Sequence, residues 1–369
     1  MDKIWLSSPH LTGEEQKYIQ EAFETNWVAP LGPNVNGFET EICTYTNATA
    51  CTALVSGTAA IHLALILLGV QKDDFVLAAT FTFSATINPI RYQGATPILI
   101  DSEADTWNMS PDLLEKAIKS ALEKGKKPKA IIVVHLYGMP AKMKEIMAIS
   151  KKYTIPVIED AAESIGAKYK NKQTGTFGEM GIFSFNGNKI ITTSGGGALV
   201  AKSKKHTDKA LFLATQAREN APHYQHEVVG YNYRMSNIVA GIGRGQLEVL
   251  DKRIAARRAN FDFYKKELAN YPITFQEESA DFFANRWLTA VVFESYEKRE
   301  AIRLALAQEN IEARPLWKPM HLQPVFQAFP FYGNDVSEDL FQRGLCLPSG
   351  SNLTDTDRKR IINALKSCF

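Results

Sequence analysis

Apolar and polar positions change rhythm several times along this chain. Residues 12–25 repeat apolar side chains at helical spacing, with Tyr18, Ile19 and Phe23 on one face. Thr12 and Glu15 have the spacing of a capping box, so a first helix is expected there. Short apolar runs then recur at Thr52–Ser56, Phe75–Ala79, Thr96–Asp101, Ala130–Leu136, Pro156–Asp160, Gly181–Phe185 and Gly197–Ala201. Helical patterns lie between several of them: Gly57–Leu68, Pro111–Glu123 and Ala141–Tyr153. Continuous apolar strands alternating with helices predict an α/β unit, a mostly parallel seven-stranded sheet covered on both faces. After Asn237 one long helical stretch is expected to about Leu268, bridging to a smaller α+β unit. That unit has a strand near Trp287–Glu294, a helix near Lys298–Glu309 and a last helix over Asp355–Lys366. The expected division is a large domain over 1–245 and a small one over 246–369.

A chain of 369 residues is long enough for two such units. Its 42 basic and 40 acidic residues leave a net charge of +2, which calls for no nucleic-acid partner. The four cysteines have no zinc-ligand spacing, so no metal is expected and a reduced, cytoplasmic setting fits. The first ten residues hold no apolar signal core, and no uncharged apolar run reaches membrane length. The longest, Ala59–Val70, contains His62 and reads as a buried helix.

In sheets of this kind ligands bind beyond the carboxyl ends of the strands, so residues just after strands gain weight. Lys189 is one of them: it follows Gly181–Phe185 and precedes hydroxyls and glycines, with no charged neighbours at helical spacing. A lysine amine is a useful nucleophile when neutral, and desolvation favours that form. Glu159 and Asp160 end another strand on opposite faces. A lysine and a buried carboxylate together suit pyridoxal 5′-phosphate, whose protonated ring nitrogen needs a carboxylate partner. Ser56-Gly57-Thr58-Ala59 follows a strand and opens a helix, a place where backbone N–H groups receive a phosphate. Phe83, after the strand Phe75–Ala79, is a candidate to stack on a ring. The glycines of Gly241-Ile242-Gly243-Arg244-Gly245 sit in a helical pattern and are discounted as a dinucleotide fingerprint.

The order of these signals carries more than any one of them. Gly57-Thr58-Ala59-Ala60, Thr82-Phe83, His135-Leu136-Tyr137-Gly138, Glu159-Asp160-Ala161-Ala162-Glu163, Lys189, Gly195-Gly196-Gly197 and Gly230-Tyr231-Asn232-Tyr233-Arg234 follow in sequence. The chain thereby resembles, over nearly its whole length, the DegT-type nucleotide-sugar aminotransferases, which are fold-type I pyridoxal phosphate enzymes. The segments 186–197, 216–220, 223–226 and 313–321 resemble the bacillosamine-pathway branch; many relatives carry glutamate where this chain has Gly195.

The resemblance implies that Lys189 bonds the coenzyme and shuttles the proton, and that Asp160 holds the pyridinium nitrogen. It implies Gly57, Thr58, Ala59 and Ser184 at the phosphate, Asn232 reaching it from the other subunit of a homodimer, and Glu163 and Phe83 flanking the ring. The nucleotide sugar is then expected at Asn26, Trp27, Val28 and Ala29 and at Arg314, Pro315, Leu316 and Trp317. The implied reaction moves an amino group from L-glutamate to position 4 of a UDP-linked 2-acetamido-4-keto-2,6-dideoxyhexose. An aminotransferase on a 3-keto or dTDP-linked sugar, and a non-catalytic coenzyme-binding regulator, stay open as alternatives.

Overall fold

The computed structural model describes residues 2–369. Its centre is an eight-stranded sheet. From one edge the strands run Ala50–Leu54, Gly197–Ala201, Met180–Ser184, Val157–Asp160, Ala130–Val134, Phe75–Ala79, Thr96–Ile100 and Phe331–Tyr332. Only Gly197–Ala201 runs against its neighbours; every other pairing in the sheet is parallel. Seven of these strands are the apolar runs of the sequence. Every residue of Ala130–Val134 is buried, as a strand covered on both faces requires.

The eighth strand departs from the expectation of seven. Phe331 and Tyr332 come from late in the chain and pair with Leu99 and Ile100. They close an edge that would otherwise present unpaired N–H and C=O groups. Two residues are too short to leave a periodic signal.

The long stretch after Asn237 is two helices, Asn237–Leu247 and Leu250–Glu267, separated at Glu248 and Val249. The first belongs to the large sheet's side of the molecule and packs on the helices Glu15–Glu24 and Pro33–Thr46. Its glycines permit that approach: a Cβ on Gly243 would stand 2.7 Å from the Phe38 ring, and one on Gly245 2.8 Å from the Glu15 amide. The expected boundary at 245/246 falls inside this helix, two residues before its end at Leu247.

The second helix runs to a four-stranded sheet, ordered Thr274–Phe275, Thr289–Val292, Gly344–Leu347 and Arg314–Pro315. The helices Tyr296–Gln308, Val336–Arg343 and Asp355–Lys366 accompany it. The N-terminal strap joins this region too, since Ile4 bridges to Ile311. Glu15 reaches back to the Thr12 amide at 2.9 Å, one half of the expected capping box, but the first helix starts only at Glu15 and its N-cap, Glu14, makes no side-chain cap.

Candidate active site

Strands ending on one side of the large sheet surround a cavity of about 340 Å³. Asp160 and Ser184 are last residues of their strands, Gly57 opens the helix after Ala50–Leu54, and Gly196 directly precedes Gly197–Ala201. All four line the cavity, with Thr58, Thr82, Phe83, Thr86, Glu163 and Lys189. Trp287 and Trp317 close it from the region of the second sheet.

The Lys189 Nζ lies 3.7 Å from Glu163 Oε1, and only 13% of its side chain is exposed. Burial pushes its amine below the usual lysine value, against the opposing pull of Glu163 and Asp160. Burial also pushes the Glu163 carboxyl up, partly offset by Lys189 and by the Tyr137 amide. Both directions favour an uncharged lysine, the form that attacks a carbonyl. Glu163 Oε2 accepts from the Tyr137 amide at 2.7 Å. Tyr137 has a left-handed backbone (φ +54°), and its hydroxyl accepts from the Trp317 amide at 2.8 Å.

Asp160 is held by neighbours that also line the cavity. Thr86 Oγ1 donates to its Oδ2 at 2.6 Å, and the Ala162 amide donates to Oδ1 at 3.2 Å. Thr82 lies 2.7 Å behind Thr86 and donates to it, since the Thr86 hydrogen is committed to Asp160. Glu159 points to the other face, as alternation predicts. It accepts from the amides of Gly175, Phe177 and Gly178 at 2.6–2.8 Å and from His135 Nε2 at 2.9 Å. His135 Nδ1 accepts from the Ala141 amide, which leaves the ring proton on Nε2.

Ser56 caps the helix Gly57–Leu67 by accepting from the Ala59 amide at 3.1 Å. Gly57 and Thr58 then form the cavity floor at a helix N-terminus, where backbone N–H groups lack intrahelical partners. A Cβ on Gly197 would stand 2.4 Å from the Gly57 nitrogen, so only glycine lets that strand press against the helix start.

The model of the DegT/DnrJ/EryC1/StrS aminotransferase family matches residues 9–366. The chain belongs to the DegT/DnrJ/EryC1/StrS aminotransferase family. It is 55% identical over its whole length to a protein of Bacillus subtilis (strain 168) named "Putative pyridoxal phosphate-dependent aminotransferase EpsN", of which 96% is covered. It is 39% identical to the GDP-perosamine synthase of Escherichia coli O157:H7, covering 96% of this chain and 95% of that one. Among solved structures, a DegT DnrJ EryC1 StrS aminotransferase from Brucella abortus superposes with a TM-score of 0.91 at 29% identity, covering 96% of this chain and 95% of the other. The protein is thus a pyridoxal 5′-phosphate-dependent sugar aminotransferase.

The cavity suits that coenzyme: a phosphate seat at a helix N-terminus, a buried carboxylate and a lysine, with the Trp317 side chain next to Glu163. Of the residues expected at the site in this DegT-family chain, Gly57, Thr58, Phe83, Asp160, Glu163, Ser184, Lys189 and Trp317 meet there. Phe83 stands at the mouth, 53% exposed. Ala59 does not line the cavity, and its amide is spent on Ser56. Asn232 is exposed and bridges to Thr215. Asn26, Trp27, Val28 and Ala29 form a surface loop tied down by Asn237, which donates to the carbonyls of Trp27 and Ala29. Arg314 is exposed and paired with Glu312 at 2.7 Å, Pro315 pairs with Leu345, and Leu316 is buried in the core.

Several lining residues were not expected, and two of them, Thr86 and Trp287, contact the expected ones. Thr86 had a local signal, a hydroxyl four residues after Thr82 beside the candidate ring-stacking Phe83. Trp287 had none, because its place depends on how the second sheet meets the first.

Proposed function

We propose that the protein transfers an amino group from L-glutamate to position 4 of a UDP-linked 2-acetamido-4-keto-2,6-dideoxyhexose. The product, a UDP-4-amino sugar, would serve bacillosamine-type glycan or polysaccharide synthesis in the cytoplasm. The observation that carries the transfer is the buried Lys189 facing Glu163 and Asp160 above the Gly57–Thr58 floor. The choice of sugar is supported by the branch-like segments 186–197, 216–220, 223–226 and 313–321.

Bound in the cavity, pyridoxal 5′-phosphate supplies an electron-withdrawing ring that stabilises negative charge at the carbon losing its proton. The chain does the rest. Gly57, Thr58 and Ser184 bind the phosphate, and Asp160, fixed by Thr86, keeps the ring nitrogen protonated. Lys189 Nζ, with Glu163 beside it, would carry the proton from the donor's carbon to the coenzyme carbon, and in the return half-reaction from the coenzyme carbon to the sugar carbon. Phe83 and Trp317, 5.4 Å apart, screen the mouth from water. In a homodimer Asn232 of the second subunit completes the phosphate seat. Arg314 suits a diphosphate once it exchanges Glu312 for it.

A GDP-linked keto sugar is the second reading, favoured by the 39% identity to a GDP-perosamine synthase. The test has two steps. Glutamate alone should bleach the visible absorbance of the purified protein and yield 2-oxoglutarate. Incubation with glutamate and a panel of UDP-, dTDP- and GDP-linked keto sugars, read by mass, should then give amination of the UDP-linked 4-keto sugar first. Preferred amination of the GDP sugar would replace the substrate assignment, and absence of bleaching would remove the transfer itself.

A further inference from the structure

The segment Asn285-Arg286-Trp287 brings the second sheet's region into the active site. Arg286 is buried and adopts a left-handed backbone (φ +54°), which non-glycine residues rarely accept. Its side chain turns away, with the guanidinium 3.7 Å over the Phe261 ring and Nη1 donating to the Gln276 carbonyl at 2.6 Å. The residues on either side of this kink turn towards the site instead. Asn285 Nδ2 donates to the carbonyls of Glu163 (3.0 Å) and Ile165 (2.9 Å), and its Oδ1 accepts from the Trp287 amide at 2.9 Å. The Trp287 indole N–H donates to the carbonyl of Asn188 at 2.8 Å, and the face of its ring lies 4.0 Å from Lys189 Nζ.

One short segment therefore grips the backbone of Glu163 with one side chain and the residue before Lys189 with another. Its own place is secured from two further directions. Ser7 Oγ donates to the same Asn188 carbonyl at 2.7 Å and accepts from Arg257, which also donates to the Trp287 carbonyl. A planar aromatic face attracts a cation most strongly where water is excluded, and Trp287 is 1% exposed.

We propose that Trp287 is a positioning residue for Lys189. Its indole face and the Glu163 carboxylate form the seat that the lysine head occupies whenever it is not bonded to coenzyme, and Asn285 sets the distance between the two sides of that seat. The charged groups facing Lys189 are Glu163 and, behind it, Asp160; Arg257 lies beyond the ring at the Trp287 carbonyl. The role rests on Lys189 as the coenzyme lysine but is independent of the sugar.

The test reads Lys189 directly. The full chain, freed of coenzyme, is trace-acetylated with acetic anhydride across a pH series, and Lys189 modification is followed by peptide mass. Loss of the aromatic face in Trp287→Leu should lower the midpoint by about one pH unit, and Trp287→Phe, which keeps a weaker face, by roughly half as much. Thermal unfolding is recorded in parallel. A loss of stability with an unmoved Lys189 midpoint would make Trp287 a packing residue only and overturn the proposal. Should Trp287→Leu not fold, Trp287→Phe decides alone: a fall supports the seat, and the wild-type midpoint removes it. Lys189→Ala, run alongside with pyridoxal 5′-phosphate, separates the two assignments. Lysine-type coenzyme absorbance persisting in that variant would sink Lys189 as the coenzyme lysine, whereas an unmoved midpoint sinks only the role of Trp287.

Discussion

Glu159 accepts hydrogen bonds from His135 and three backbone amides on one face of the strand Val157–Asp160, while Asp160 accepts from Thr86 and Ala162 and faces the cavity. The two are consecutive carboxylates, both buried. A carboxylate has about four acceptor sites, and Glu159 has all of them used. It is finished within the fold and ties the loop 175–178 to the strand. Asp160 keeps acceptor capacity and negative charge directed at the cavity. The difference teaches that burial alone does not mark a reactive acid; unspent hydrogen-bonding capacity facing a cavity does.

This contrast can be broken or sharpened by substitution. On the cavity face, Lys189→Ala should abolish transamination altogether while leaving the fold intact, checked by 2-oxoglutarate release and circular dichroism. Turnover at the wild-type rate would end the site assignment. Asp160→Asn keeps the shape and removes the charge; a fall of roughly 10²–10³ in kcat is expected, the scale of losing one preorganised charge partner. It should be accompanied by a changed coenzyme spectrum.

On the opposite face the readout should switch from chemistry to stability. Glu159→Gln turns an amide NH2 towards backbone donors and leaves some of them unsatisfied, at a cost on the order of 3 kcal/mol. Denaturant midpoints should fall, yet activity per folded molecule should stay near wild type. A large loss of kcat at unchanged stability would erase the distinction between the two faces. The smallest effect belongs to Thr86→Val, which removes one charge-assisted hydrogen bond from Asp160. Coenzyme retention on dialysis should weaken about tenfold, corresponding to ~1.4 kcal/mol. Unchanged retention would show that Asp160 is oriented by its backbone alone.

Much of the large sheet was legible because its strands are buried on both faces and read as uninterrupted apolar runs. The strand near residues 50–56 shows the usual limit. It was expected at Thr52–Ser56 and lies at Ala50–Leu54, since Ser56 is needed as a helix cap. The cofactor end of the site was legible for a related reason. Asp160 and Ser184 end such strands and Gly57 opens the helix after one, so each is positioned by its own local segment. The expected sugar-binding residues fared differently. Asn26–Ala29 and Arg314 lie on exposed segments whose contacts come from distant parts of the chain, and only Trp317 of that group lines the cavity.

By itself, then, the sequence determined the strand-and-helix alternation, the acid on each face of Val157–Asp160, the glycine floor and the lysine, because each follows from local periodicity or from a residue's place just after a strand. The tertiary structure alone decided that Phe331–Tyr332 closes the sheet, that Thr86 rather than solvent holds Asp160, and that Trp287 covers Lys189. Those contacts join segments far apart in the chain, and no local spacing encodes them. Each exists only once the tertiary fold has brought its segments together, and the Trp287 contact needs the second sheet's region against the first as well.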